Sequence, residues 1–207
     1  TQENIGRITC STVEQAACLV DAARRDDCAS IYPFIAIGLE TSMRKMEILS
    51  IRLEHIDLAR RVIYLPQAKA GAREQPITTN PLPLLRSLIA SADEGQTWLF
   101  PATMSASGHV MNIEKPFRRV VVAAGLDPRQ VVRHTLRHTA ITHLVQAGVD
   151  LPTVQRISGH KTMQMVARYS HQNGEHIREA MDKLSQRYQE GESSPGKRLL
   201  KKRLFGR

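Results

Sequence analysis

The sequence predicts a mainly α-helical domain carrying one small antiparallel β-sheet, an α+β class in which the sheet is secondary to the helices. Stretches with apolar residues at helical spacing recur from about residue 11 to 189, many opened by Ser, Thr, Asp or Pro and several closed by Gly. Between them lies one pair of short runs, residues 62–65 and 75–78, joined through Ala68-Lys69-Ala70-Gly71 and reading as a hairpin. The 207 residues, 42% of them hydrophobic, suffice for a real core. No apolar run approaches the roughly 18 residues of a membrane span.

In order, residues 1–10 read as irregular. Ser11-Thr12-Val13-Glu14 resembles a capping box opening a helix to about Arg25, with Val13, Ala16, Ala17, Leu19 and Val20 inward. Residues 31–39 are apolar almost throughout and read as a buried helix, with Pro33 marking its start. Thr41-Ser-Met-Arg44-Lys-Met-Glu47 opens a short helix with Met46, Ile48, Leu49 and Ile51 inward. An arginine in that first turn opposes the helix dipole. Arg44 is therefore either a solvated surface residue or one aimed at an anion that the helix N-terminus also attracts.

Beyond the hairpin, residues 81–92 read as a helix, 98–100 as a short strand and 101–111 as a loop. Residues 113–124 form a long helix that Gly125 ends, with Arg118 and Arg119 outward. Thr135 is placed as the cap of a helix over 136–147, closed by Gly148. Asp150 and Pro152 open a helix that ends at Gly159 and presents His160, and a third, from about Thr162, carries Tyr169 at its far end. Residues 174–189 are amphipathic, with Ile177, Ala180, Met181 and Leu184 inward. Residues 191–196 have linker composition, and a basic tail follows.

Net charge is +9, which invites a nucleic-acid partner. Yet Lys197, Arg198, Lys201, Lys202, Arg203 and Arg207 of the tail leave only +3 for the rest, so the placement of the charges must carry that case. The tail reads as a phosphate-binding arm, a segment docking on a neighbouring protomer, or an appendage without function. Cys10, Cys18 and Cys28 are few, odd in number and lack metal-ligand spacing, as reduced thiols of a cytosolic protein would be. The chain opens on Thr1 with no secretory-signal layout, as a fragment or processed chain would.

The chemistry concentrates in residues 133–171, where short helices gather His134, Arg137, His138, His160 and Tyr169. A guanidinium forks onto phosphate oxygens, imidazoles move protons or donate hydrogen bonds, and a phenol can act as an oxygen nucleophile. Taken singly, Tyr169 would be a half-buried structural tyrosine and Lys69 a solvated hairpin lysine. His134 and His138, four apart, could suggest zinc, but Thr135 stands where a metalloprotease has glutamate, and no third ligand is evident.

Three motifs stand in order and spacing: His134-Thr-Leu-Arg137, Gly159-His160, and Tyr169 nine residues after that histidine. In them the chain resembles the tyrosine recombinase (phage integrase) family, and Thr41-Ser-Met-Arg44-Lys-Met-Glu47-Ile48 is similar to the setting of its first catalytic arginine. The resemblance spans about residues 12–185. It implies the catalytic-domain fold over residues 1–190, with 191–207 as a tail and the family's N-terminal core-binding domain absent from this chain.

The resemblance also implies a site-specific DNA recombinase or integrase that cleaves and rejoins strands through a 3′-phosphotyrosine, with no cofactor, metal or ATP. Tyr169 would be the nucleophile and Arg44 and Arg137 the phosphate clamp. Lys69 would be the general acid for the leaving 5′-oxygen, His134 the acid/base partner of the tyrosine, and His160 a hydrogen-bond donor to phosphate. Glu47 and His138 would support them. Lys45, Arg73, Arg133, Lys161 and Arg168 are the expected DNA contacts. The implied partners are double-stranded DNA and further copies of the chain, a tetramer on DNA, in the cytoplasm of a bacterium or phage host and associated with the nucleoid. Thr135, Ser42 and Ser158 replace the family's usual aspartate, glycine and leucine, changes expected to bear on packing. A DNA-binding protein that keeps the fold without the chemistry, and a strand-swivelling topoisomerase, are the competing classes.

Overall fold

The computed structural model describes residues 11–69, 71–170 and 181–188. The chain divides into two compact units, Thr1–Ser170 and His171–Arg207. In the first, the helices are α1 (Val13–Arg24), α2 (Ile31–Thr41), α3 (Lys45–Leu49), α4 (Leu82–Ala90), α5 (Glu114–Ala123), α6 (Arg133–Gln146), α7 (Leu151–Ser158) and α8 (Met163–Ala167). Strands β1 (Ile56–Asp57), β2 (Val62–Leu65) and β3 (Arg73–Pro76) form an antiparallel sheet in sequence order. The expected class, helices with a small antiparallel sheet, is the one observed. No helix among the described residues is long and apolar enough to cross a membrane.

Several local expectations shift. Thr12, not Ser11, caps α1: its hydroxyl accepts from Gln15 N at 3.2 Å, and the Gln15 amide oxygen accepts from Thr12 N at 3.0 Å. The face of α1 that points inward is Leu19, Ala22 and Ala23, while Val13 is exposed. With Ala16 and Ala17, Val13 lines an open apolar groove shared with Ala140 and Leu144 of α6 and Ala147 at its C-cap. Pro33 lies in the first turn of α2, where its missing N–H costs no helical bond. In place of a strand over residues 98–100 there is an isolated bridge of Trp98 with Arg52, and Pro101 just beyond bridges His109.

β3 begins two residues earlier than expected and pairs Leu65 with Arg73 and Ile63 with Gln75. Because facing alternates along a strand, this register turns Arg73 and Gln75 to the side that buries Ile63 and Leu65. α6 begins at Arg133, and Thr135 sits inside its first turn. There the hydroxyl accepts from Val132 N at 3.0 Å, so the side chain caps backwards from the third helical position.

The principal core joins α1, α2, α3, the sheet, α4 and α5, and Leu136 enters it from α6. Gly38 allows α2 to lie close on α6, since a Cβ there would meet Leu136 Cδ1 at 3.0 Å. A second cluster of Ile141, Val145, Val154, Val166 and Tyr169 locks α6, α7 and α8 together. Burying those side chains, each worth about 1.5–3 kcal/mol relative to exposure, holds the end of α8 against the helix that carries Arg137. In the second unit, residues 181–188 are helical, with Met181, Leu184 and Tyr188 exposed. Met181 and Leu184 were expected to turn inward. Ile177, Ala180, the linker, the basic tail and residues 1–10 lie outside the described residues.

Candidate active site

Two backbone features seat the first arginine. α2 ends at Ser42, whose φ of 56° is left-handed, the conformation glycine adopts at least cost. The chain then turns into α3, with Arg44 extended at the N-cap position, not inside the first turn. Glu47, at the third helical position, accepts from Arg44 N at 2.9 Å and from Arg44 Nη1 at 2.9 Å. This carboxylate also accepts from Arg73 Nη2 at 3.0 Å, and it is only 8% exposed. Glu47 thus joins two guanidiniums, one from α3 and one from β3.

Arg73 does not stand on the surface as a DNA contact would. It is mostly buried, donates to Gln75 Oε1 as well as to Glu47, and packs against the Gly159 backbone. Its inward turn follows from the β3 register. Burial is the largest influence on its basicity and lowers it, with the Glu47 charge working the other way.

Arg137, on α6, is buried. Its Nη1 donates to the Ser42 carbonyl at 2.5 Å and its Nη2 to His160 Nε2 at 3.2 Å. Burial first, and the Arg44 charge second, push its guanidinium down to about 10, so it remains a cation at neutral pH. Arg44 Nη2 donates to the Gly159 carbonyl at 3.2 Å, one residue from His160. The two guanidiniums therefore meet at the end of α7. Gly159, left-handed with φ 63°, makes the turn that points His160 toward them.

His160 Nδ1 lies 2.7 Å from Ser158 Oγ, and its carbonyl accepts from Gln155 Nε2 at 3.2 Å. Burial, then Arg137 and Arg44, lower the imidazole to about 4, so it is neutral at pH 7. Tyr169 is 1% exposed, and its ring centre lies 6.4 Å from that of His160. Its hydroxyl meets His138 Nδ1 at 2.5 Å. Burial, followed by the charges of Arg168, His134 and Arg137, lowers His138 to about 4 as well. Neutral His138 can accept from the phenol through Nδ1 when its own proton sits on Nε2.

Arg44, Glu47, Arg137, His138, His160 and Tyr169 are thus brought together. His134 is exposed, one turn before His138 on α6, and it is His138 that touches the phenol. Lys69 is exposed in the β2–β3 connection. Of the other expected DNA contacts, Lys161 and Arg168 are exposed, and the Arg168 guanidinium lies 5.6 Å from the Tyr169 ring centre. Lys45 reaches the Met111 carbonyl at 3.5 Å and Arg133 pairs with Glu114 at 2.8 Å. Among the described residues, no three His, Cys, Asp or Glu side chains converge as metal ligands would. Sequence reasoning missed the Ser42 carbonyl as an arginine acceptor, the inward Arg73, and the hydroxyl of Ser158. A left-handed serine where glycine is usual, and a polar residue in a leucine's place, were the signals available.

Comparison with known proteins points to one family. The model of the phage integrase family matches residues 11–176. The chain is 31% identical over 143 residues to the shufflon-specific DNA recombinase of Escherichia coli, covering 68% of this chain and 34% of that protein. To the tyrosine recombinase XerD of Brucella suis biovar 1 (strain 1330) it is 25% identical over 176 residues, covering 82% of this chain and 57% of that one. It therefore spans between a third and three fifths of these relatives' lengths. Among solved structures, the XerA recombinase superposes with a TM-score of 0.69 at 24% identity, over 84% of this chain and 65% of that chain, which shows a shared fold.

Proposed function

Because the chain belongs to the phage integrase family, the tyrosine recombinases, we propose that it is the strand-cleaving part of a site-specific DNA recombinase. The observation that carries this reading is the meeting of Arg44 and Arg137 at the end of α7, beside His160 and Tyr169. Two forked cations there suit the non-bridging oxygens of one phosphodiester and the charge that builds in its pentavalent transition state.

In this proposal the Tyr169 oxygen attacks the phosphorus, the bond to the 5′-oxygen breaks, and a 3′-phosphotyrosine and a free 5′-hydroxyl result. Lys69, brought in from the hairpin when DNA binds, gives the proton to that leaving oxygen. The phenol proton passes to an imidazole. His134 is the partner implied by resemblance to the family, whereas the 2.5 Å contact supports His138 as the acceptor nearest the phenol. The phenol then leaves His138 to reach the phosphate. A second 5′-hydroxyl reverses the step and rejoins the strand, since the covalent link keeps the phosphodiester's energy. Glu47 holds Arg44 and Arg73 in place from behind. Residues 1–190 form the catalytic domain, with 191–207 as a tail. Double-stranded DNA is the substrate, bound by Lys45, Arg133, Lys161 and Arg168 along the rim, and four copies act together on it in the cytoplasm.

The test is incubation with nicked suicide duplexes that trap the cleaved strand. A denaturant-stable protein–DNA adduct that disappears in Tyr169→Phe supports the proposal. No adduct from the unaltered chain, with DNA binding intact, would favour a binding protein that lacks the chemistry.

A further inference from the structure

Ser158 stands where the family usually has leucine, at the last position of α7, and it is completely buried. Its hydroxyl has two neighbours: His160 Nδ1 at 2.7 Å and the Gln155 carbonyl at 3.3 Å. A serine at a helix end commonly bonds back to the carbonyl three residues earlier, and that alone would make it a local cap. The shorter contact, however, is the one to the imidazole.

The directions of these bonds are fixed by chemistry. A guanidinium has no acceptor. Since Arg137 Nη2 faces His160 Nε2 at 3.2 Å, Nε2 is the bare nitrogen and the ring proton sits on Nδ1. Nδ1–H then donates to Ser158 Oγ, and the serine proton goes to the Gln155 carbonyl. Donation runs one way, from Arg137 through His160 and Ser158 to Gln155. The Gln155 side chain holds the other end, donating to the His160 carbonyl at 3.2 Å. In this state His160 cannot donate to a phosphate oxygen, because Nε2 carries no proton.

We propose that Ser158 is a positioning residue that, together with Arg137, holds His160 in the Nδ1–H form at rest and lets the ring change from accepting Arg137's hydrogen bond to donating one to a phosphate. This rests on the recombinase reading for its second half only. When a phosphate enters, Arg137 turns its fork onto the anion and releases Nε2. The ring loses its Nδ1 proton to solvent and takes one at Nε2, with no net proton consumed. Ser158 then rotates its O–H from the Gln155 carbonyl to the bare Nδ1. A hydroxyl is both donor and acceptor, so it satisfies Nδ1 in either form. Leucine serves neither, and a buried Nδ1 facing it would lack a partner.

The experiment is nitrogen-15 NMR of the histidine-labelled chain at pH 7, with and without inorganic phosphate, beside cleavage of the suicide duplex. Unaltered protein without phosphate is expected to show His160 as the Nδ1–H form, shifting toward Nε2–H as phosphate is added. Ser158→Ala is expected to hold a mixture of the two forms without phosphate. It should cleave about tenfold more slowly at unchanged DNA affinity, the scale of one lost neutral hydrogen bond. Ser158→Thr, which restores a hydroxyl, should recover both the tautomer and the rate. An Nε2–H ring in the unaltered resting protein, or a single undisturbed Nδ1–H form in Ser158→Ala, would overturn the proposal. Unaltered protein that shows the tautomer shift yet forms no adduct would support the role of Ser158 and overturn the recombinase reading.

Discussion

Replacing Glu47 by glutamine keeps the shape of the side chain and removes only its charge. In the native chain that charge stands between Arg44 at 2.9 Å and Arg73 at 3.0 Å, with Arg137 close enough to be influenced by all three. Two unit charges about 4 Å apart interact by about 4 kcal/mol at an effective dielectric of 20. Losing both attractions in full would exceed the 3–5 kcal/mol typical of breaking a buried pair. Glutamine still accepts one hydrogen bond, and the partly exposed Arg44 can turn toward water, so about 2–3 kcal/mol of destabilisation is expected. For a chain of this size that lowers Tm by roughly 4–12 °C. Urea unfolding in low-salt buffer, with and without sulfate, is the assay. Sulfate should restore more than half of the loss in Glu47→Gln, because the dianion replaces the missing charge between the guanidiniums. A loss below about 0.5 kcal/mol, or no response to sulfate, would refute the view that Glu47 assembles this cation cluster.

Other expectations follow from the same geometry. Arg137→Lys should remain folded but lose most adduct formation, because an ammonium cannot serve the Ser42 carbonyl, His160 and a phosphate together; near-native trapping by that variant counts against the assignment. Ser42→Gly should stabilise the chain by about 0.5–1 kcal/mol in urea unfolding, since it relieves a left-handed residue and deletes a buried hydroxyl without a partner; a loss of stability would contradict this. His138 and His160 are held near 4, below the ordinary 6.5, so between those values the unfolded chain binds protons that the folded chain refuses. Stability should therefore be fully present above about pH 6.5 and fall as pH drops toward 4, by about 1–2 kcal/mol per histidine after allowing for partial solvent screening. His138→Gln should flatten part of that slope, and a slope unchanged by the substitution would refute the assigned burial.

What could be read in advance, and what could not, divides along physical lines. Arg137, His160 and Tyr169 were legible because turn residues fix short helices, and short helices fix where their ends point. Asp150 and Gly159 bound α7 as expected, the one capping Thr153 N at 2.9 Å and the other turning left-handed. Arg44 was legible as an alternative between solvent and anion, and the structure turns it partly away from solvent, onto Glu47 and the Gly159 carbonyl. The facing of Arg73 was not legible. A strand read two residues late predicts nothing about how that strand's first residues pair, and only the observed pairing with Leu65 and Ile63 turns Arg73 inward. Thr135 misled because a hydroxyl at a helix start can cap from the N-cap position or reach back from the third helical position. Sequence distinguishes the two poorly. His134 and His138 lie one turn apart on one helix, so the choice between them depended on where α8 docks, a tertiary fact that no local pattern carries.

The claim on which the rest depends is that the phenol of Tyr169 and the two guanidiniums act on one DNA phosphate. Proteolysis of the trapped adduct, followed by mass mapping of the peptide that carries the nucleotide, tests it most directly. The account predicts a 3′-phosphate on Tyr169 and none in Arg137→Met. A phosphate on Tyr32, Tyr64 or Tyr188, or a Tyr169 adduct that forms at full rate without Arg137, would contradict it.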